Sequence, residues 1–377
     1  MRGGSVLIVG AGIGGLATSV ALREAGFDVL VVELQPDLHS SVYGVGIIQP
    51  ANALRALEAI GCAEACMASG FPAKLWMKGY DVDGQLIFEM PGMRIPGSAL
   101  PPLNGITRPR LHEILTERAL GCGVAIEYGK TITAIDDRGD DVAVHFSDGS
   151  AAAFELVVGA DGVRSVVRPY VLPGVEPAYN GQSAFRCNMP REPEVDCIVL
   201  QRGPTGNAGM VPLGPDLAYL FFNATWDRDR RRPADGELHT ILREYLEPFG
   251  GVTGRVRDNH INEDTPIVLR AEEWLIAPPP WHRGRIVLIG DAVHTVTPHL
   301  GQGAAQAIED GVVLAEALAA QDSTEEALAS YVERRYERCK LIVETSVAIG
   351  EWEQGLRPGY DEKAARAAVL DSMLAPI

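Results

Sequence analysis

The run Gly10-Ala11-Gly12-Ile13-Gly14-Gly15 is spaced as G-x-G-x-x-G and could wrap a pyrophosphate. Gly10 permits a tight turn, Gly12 lets the backbone approach phosphate oxygens, and Gly15 lets a helix lie close on a strand. Glu33, roughly 20 residues further on, could accept from a ribose 2′-hydroxyl and would repel a 2′-phosphate. Two more acids stand beside glycine. Asp161-Gly162 lies in GADGVRS with Arg168 one turn on, and Asp291 lies in GDAVH, followed by Pro298-His299-Leu300-Gly301-Gln302-Gly303. Each such pair is also an ordinary turn. At the ends of buried strands, however, they occupy the place where open α/β sheets bind ligands.

Residues 6–9 form an apolar, β-branched run of the kind that makes a buried parallel strand. A helical pattern then turns Leu16, Val20 and Leu22 inward and stops at Gly26, and residues 29–32 give a second strand ending on Glu33. A helix N-terminus after the glycines offers free N–H groups to phosphate. With strand, helix, strand and acid in register, this unit binds an adenine dinucleotide.

Gly44 and Gly46 mark a flexible turn, and a helix is predicted over 52–60. A strand pair spans 75–90 about Asp83-Gly84, a Pro/Gly-rich loop covers 90–102, and a helix spans 107–120 with Pro109 in its first turn. Segments around Ile132 and over 142–146 suggest a hairpin, and 156–160 is another buried strand leading to Asp161. From 178 to 266 the pattern changes to alternating strands (184–188, 197–201, 208–212, 218–225) with a helix near 238–246. That piece suits an antiparallel sheet inserted into the nucleotide fold. The basic run 228–232 reads as a solvated loop. The strand 286–289 before Asp291 restores the parallel pattern, and helices over 304–320 and 325–350 complete the chain.

The chain of 377 residues is 46% hydrophobic and carries a formal net charge of −17. The charge argues against nucleic acid and anionic membrane as partners. Cys62, Cys66, Cys122, Cys187, Cys197 and Cys339 show no C-x-x-C spacing, which favours free thiols over disulfides or zinc. No run reaches the length of a membrane span, and the first strand begins too early to leave room for a leader. A cytoplasmic protein with no metal is expected.

The three motifs in this order resemble the class A flavoprotein monooxygenases, the p-hydroxybenzoate and salicylate hydroxylase family, from Val6 to about Tyr336. The resemblance implies an α/β, Rossmann-like FAD-binding fold of glutathione-reductase type, with an inserted antiparallel substrate sheet and C-terminal helices. It assigns 1–74, 103–177 and 267–325 to the FAD domain, 75–102 and 178–266 to the substrate domain, and 326–377 to a helical segment. It places Gly10, Ala11, Gly12, Ile13, Gly14, Gly15 and Glu33 on the ADP part of FAD and Arg108 on the flavin's linking chain. Asp161 and Gly162 would serve FAD and the nicotinamide nucleotide, and Asp291 the ribityl hydroxyls. Pro298, Gly301, Gln302 and Gly303 would lie against the isoalloxazine ring, with Val45 and Gly46 across from them. Ile132, Ala304 and Ala305 complete the implied FAD contacts. Many members carry Asn where this chain has Ala305, so the contact there would be through backbone only. The implied reaction uses NADH or NADPH and O2, through a flavin C4a-hydroperoxide, to hydroxylate a small aromatic ring. The implied assembly is a monomer or homodimer.

His299 could hydrogen-bond a substrate hydroxyl or take its proton, or could serve packing alone. Pro298 would stack on the flavin. Arg186, sharing a strand face with Gln182 and Ala184, could meet a substrate carboxylate or form a surface ion pair. On the strand 218–225, Tyr219, Phe221 and Asn223 point one way and Leu220 and Phe222 the other, so either row could face the pocket. Met210 and Pro212 could line the pocket or fill core. The alternatives are a flavin halogenase, an epoxidase or a reductase, or a carrier resembling GDP-dissociation inhibitors. The halogenase Trp-x-Trp-x-Ile-Pro stretch is absent, and the charged C-terminus with Asp361, Glu362, Lys363 and Arg366 does not suit a membrane-bound isoprenoid enzyme. A carrier has no need of the Pro298 to Gly303 loop.

Overall fold

The computed structural model describes residues 3–38, 40, 45–92, 94–227, 229 and 232–377, so Gly44 and most of the basic run 228–232 lie outside the described residues. β1 (Ser5–Val9), α1 (Ile13–Glu24) and β2 (Asp28–Glu33) form the expected unit, with β1 and β2 parallel. Val6 to Val9 are all buried, as a sheet covered on both faces requires. β3 (Gly46–Pro50), α2 (Ala51–Ala59), α3 (Ala63–Ser69) and β4 (Phe71–Ala73) follow. The hairpin β5 (Leu75–Tyr80) and β6 (Leu86–Pro91) turns at Asp83-Gly84. β7 (Leu103–Thr107) pairs with β3 and β4, then enters α4 (Arg108–Gly121). Thr107 Oγ1 caps α4 by accepting from the Arg110 N–H at 3.3 Å.

β8 (Ala125–Tyr128) joins the edge of the parallel sheet. The expected hairpin is larger: β9 (Ile132–Asp137), β10 (Val142–Phe146) and β11 (Ala151–Phe154) make a three-stranded sheet. β12 (Leu156–Gly159) returns beside β1, followed by the short α5 (Arg168–Val171).

The inserted sheet contains β13 (Ala178–Pro190), β14 (Ile198–Gly203), β15 (Gly206–Pro212) and β16 (Leu217–Thr225). One face packs on α6 (Leu238–Leu246) and α7 (Gly251–His260). Leu238, Leu242 and Leu246 of α6 repeat every four residues and are fully buried there, each contributing about 1.5–3 kcal/mol. β17 (Val268–Trp274) also belongs to this sheet, paired antiparallel with β13. The expected boundary at 266 is therefore too early, because the chain makes one more pass along the sheet before leaving it. The sheet has seven strands in the order β17-β13-β16-β15-β14-β5-β6.

β18 (His282–Arg283) and β19 (Ile286–Leu288) complete a six-stranded sheet, β18-β19-β12-β1-β2-β8. α8 (Gly303–Ala320), α9 (Thr324–Glu353) and α10 (Glu362–Leu374) close the structure. α8 packs on α1 and completes the main core. Among the described residues no helix is long and apolar enough to cross a membrane.

Candidate active site

The glycine loop is built for a close-lying ligand. Gly10 has φ +107°, and a Cβ on Gly15 would fall 1.9 Å from the Gly10 carbonyl oxygen. A Cβ on Gly12 would meet nothing within 4 Å, so the space before α1 is open, and no side chain caps the helix there. Glu33 braces the loop: its carboxylate accepts from the Ala11 N–H at 2.8 Å and the Gln35 N–H at 2.9 Å. Its remaining lone pairs can still accept from a ribose. His112 of α4, which the sequence did not single out, holds the loop from behind, with Nε2 2.6 Å from the Ala11 carbonyl oxygen. Burial lowers its pKa, so the neutral ring donates this hydrogen bond.

Two charges along the same cleft have no hydrogen bond or ion pair among the described residues: the Asp291 carboxylate beyond β19 and the Arg108 guanidinium opening α4. Asp291 is exposed to the cleft although protein crowds its other sides. Asp291 and Arg108 feel each other's charge and keep an acceptor and a cation available, the kind of groups that the resemblance assigns to a flavin's ribityl and linking chain. Asp161 is committed to structure instead. It accepts from Ser165 Oγ at 2.6 Å and from the Val166 and Val167 N–H groups, fixing the loop that Gly162 turns at φ +77°. Ile132 and Val45 are buried in apolar clusters, and Ala305 is buried within α8.

A cavity of about 230 Å³ lies between the loop after β19 and the inserted sheet. Pro298, His299, Gly301, Gln302, Gly303 and Ala304 form one wall, and Gly46 contributes to another. From the sheet come Arg186, Tyr219, Phe221 and Asn223, joined by Trp76 and Met77 of β5. This settles the strand-face question: Leu220 and Phe222 pack on α6 and α7, while Tyr219 and Phe221 face the cavity. Gly209 makes room for this, because a Cβ there would lie 2.0 Å from Phe221 Cζ. Met210 and Pro212 are corrected. They share the opposite face of β15, where Met210 is fully buried against the α6–α7 core.

Glu353 from α9 and Arg366 from α10 also reach the cavity. Neither was singled out from sequence, although Glu362 and Arg366, spaced i,i+4, do pair at 2.7 Å. His299 meets the wall with both ring nitrogens engaged. Nδ1 is 3.0 Å from Thr297 Oγ1, and Nε2 is 3.1 Å from Gln182 Oε1 and 3.2 Å from Glu353 Oε2. Burial alone would lower its pKa, but Glu353 and then Glu272 hold it above the ordinary value. The corresponding ion-pair attraction holds Glu353 below the usual carboxylate range despite its burial. Of this pair, Glu353 keeps a little exposure and the His299 side chain is fully buried behind it.

A buried charge network fixes the loop from the other side. Arg335 is fully buried and donates to Glu309 at 2.6 Å and Asp310 at 2.7 Å. Asn52 donates to Glu309 and to Gln302 Oε1, so the network ends on the cavity wall. His294 Nε2 lies 2.6 Å from Asp310 Oδ2, which also accepts from the Gly290 N–H. His294, Asp310 and Cys339 have metal-ligand spacing, but Arg335 already neutralises Asp310.

Burial works against both charges of the His294–Asp310 pair, yet their attraction prevails: His294 is raised well above 6.5, and Asp310 falls to about 2 from 3.8. The histidine term is complete below pH 6.5 and fades as pH rises through the raised value; the aspartate term is complete above 3.8 and fades towards 2. The difference in Tm between the natural chain and His294→Asn should thus be largest between these limits and shrink on both sides. A difference that stays flat with pH would contradict the pairing.

An FAD binding domain family matches residues 4–346. The aurachin C monooxygenase/isomerase of Stigmatella aurantiaca is 33% identical, covering 97% of this chain and 95% of that one. The 6-hydroxynicotinate 3-monooxygenase of Pseudomonas fluorescens is 31% identical, covering 89% of each chain. The crystal structure of Pseudomonas aeruginosa PqsL with 2-aminobenzoylacetate superposes with a TM-score of 0.81 at 26% identity, covering 98% of this chain and 100% of that one.

Proposed function

The chain belongs to the FAD-dependent monooxygenases, and on that premise we propose that its cavity holds a small, electron-rich aromatic or heteroaromatic ring for hydroxylation with NADH or NADPH and O2. One observation carries the reading: the Pro298 to Ala304 wall directly faces an aromatic wall of Trp76, Tyr219 and Phe221. When bound, reduced FAD supplies the activation of O2. The residues of the chain do the rest. Tyr219 and Phe221 hold the ring face-on or edge-on and keep water away from it. Arg186, which has no hydrogen bond or ion pair among the described residues, is free to meet an anionic substituent bidentately. Glu353 can accept a hydrogen bond from a ring hydroxyl and draw it towards the anion, which makes the ring more electron-rich. The name of one relative, the 6-hydroxynicotinate 3-monooxygenase, favours hydroxypyridine carboxylates in the test panel.

The test is NADH and NADPH oxidation by the FAD-loaded chain with hydroxybenzoates, hydroxypyridine carboxylates and quinolones. One class should accelerate oxidation and yield a hydroxylated product. His299→Ala should keep FAD yet slow product formation by about 100-fold, with more peroxide released per NAD(P)H. Bound flavin with no acceleration by any ring would overturn the reading, and unchanged coupled rates in His299→Ala would overturn the role of that side chain.

A further inference from the structure

Two carboxamides stand on the sheet wall of the substrate cavity. Asn223 of β16 and Asn207 of β15 are directly opposite each other in the antiparallel register, and both line the cavity. Asn223 shares its strand face with Tyr219 and Phe221. Neither asparagine is among the residues that the resemblance gives to FAD. Asn223 is only 5% exposed, and its Oδ1 is buried with no hydrogen-bond partner. Its Nδ2 donates to no group among the described residues.

The sheet itself cannot satisfy this side chain. Its neighbour on β13 is Ala184, and the next residue on its own face is Phe221. Other buried carboxamides are used differently: Asn52, Asn104, Gln201 and Gln302 each engage at least one end in a hydrogen bond within the fold. A buried amide open at both ends costs stability as structure alone. On the wall of a cavity it is ready to meet a ligand.

We propose that Asn223, assisted by Asn207, is the specificity-determining residue of the cavity and reads a ring that carries N–H beside C=O, the edge of a conjugated lactam. The inference rests on the hydroxylase reading for the presence of a ring and adds which ring it is. A carboxamide holds an acceptor and a donor side by side, so it pairs through two parallel hydrogen bonds with a group offering the reverse arrangement. Oδ1 accepts from the ring N–H, and Nδ2 donates to the ring carbonyl. Asn207, across the strand pair, can donate to the second lone pair of that carbonyl. A phenol fills only one of the two positions. A carboxylate would meet Nδ2 but set its charge against Oδ1. Phe221, two residues along, covers the adjoining apolar part of the ring, and Arg186, opposite Phe221 in the register, stays free for a substituent elsewhere on it.

The test is calorimetric titration of the FAD-saturated, oxidised chain, which needs no turnover. The probes are 2-quinolone, which carries the lactam edge, and 2-naphthol, which has the same bicyclic shape and an O–H but no ring N–H. The natural chain should bind 2-quinolone at least about 10-fold more tightly. Asn223→Leu, apolar and close in volume, should lose that preference, and Asn207→Leu should narrow it. The Tm of Asn223→Leu without FAD should be unchanged or higher, because no hydrogen bond of the fold is lost. If Asn223→Leu does not fold, Asn223→Ala serves the same comparison. Equal affinity for the two probes in the natural chain would overturn the proposal, as would a preference that survives in Asn223→Leu. Preference for 2-quinolone in a chain that hydroxylates no ring would support this role and contradict the hydroxylase reading alone. Coupled hydroxylation of a phenol with no preference for the lactam edge would contradict this role alone.

Discussion

Gly15→Ala is expected to destabilise the chain even without FAD, whereas Gly12→Ala is expected to leave the apo-chain unchanged and weaken FAD binding. The added Cβ at Gly15 would sit 1.9 Å from the Gly10 carbonyl oxygen and 3.3 Å from Ala160 Cβ. The nearer atom is backbone of the same loop, so α1 must lift from β1. Such overpacking costs about 3 kcal/mol, which lowers Tm by about 4 °C in a chain of this length. At Gly12 φ is −72° and a Cβ meets nothing, so alanine fits the fold. Its methyl group instead fills the space where phosphate must approach, and affinity for FAD should fall at least about 10-fold, or ~1.4 kcal/mol. Calorimetry of the apo-chains and flavin fluorescence titration separate the two effects. A normal apo Tm in Gly15→Ala, or normal FAD affinity in Gly12→Ala, would contradict this assignment.

Arg335→Ala should be the most destabilising change outside the glycine loop. It leaves Glu309 and Asp310 buried, with Arg338 and Asn52 still on Glu309 and His294 on Asp310. Removing one partner of a buried ion pair costs about 3–5 kcal/mol, because the remaining charge cannot be solvated. The network continues through Asn52 to Gln302, so the wall at Pro298 to Gly303 should loosen as well. Arg335→Lys keeps the charge but loses the fork that donates to both acids and should recover only part of the stability. Urea unfolding of the three chains reads the order directly. If Arg335→Ala unfolded at the same urea concentration as the natural chain, the network would not be holding this part of the fold.

The nucleotide unit was legible because its signals are local: an apolar strand, three glycines at fixed spacing, a helix and an acid lie within one stretch. Pro298 to Gly303 also lie in one stretch, but only the resemblance implied that they would form a wall of the site. The far wall was not legible. On β16 both rows are apolar, so periodicity gives the alternation without the direction, and only the packing of Leu220 and Phe222 on α6 and α7 decides it. The same ambiguity left Met210 and Pro212 open between pocket wall and core, and the packing of Met210 against α6 and α7 decides for core. Glu272, Glu353 and Arg366 come from three elements distant in sequence, and each looks like an ordinary surface charge until the fold buries it. β17 was missed as part of the sheet because its Arg270, Glu272 and Glu273 dilute the alternation that marks a strand. Those charges line the cleft to which Asp291 is exposed.

The most direct measurement is turnover under ¹⁸O2, using the FAD-loaded chain and whichever ring compound most accelerates NAD(P)H oxidation. A monooxygenase acting in this cavity places one ¹⁸O atom on the ring and none from water, and Phe221→Ala or Arg186→Ala lowers the labelled fraction per NAD(P)H consumed. Product oxygen drawn from water, or NAD(P)H oxidation that never labels a ring, would contradict hydroxylation as the reaction of this site.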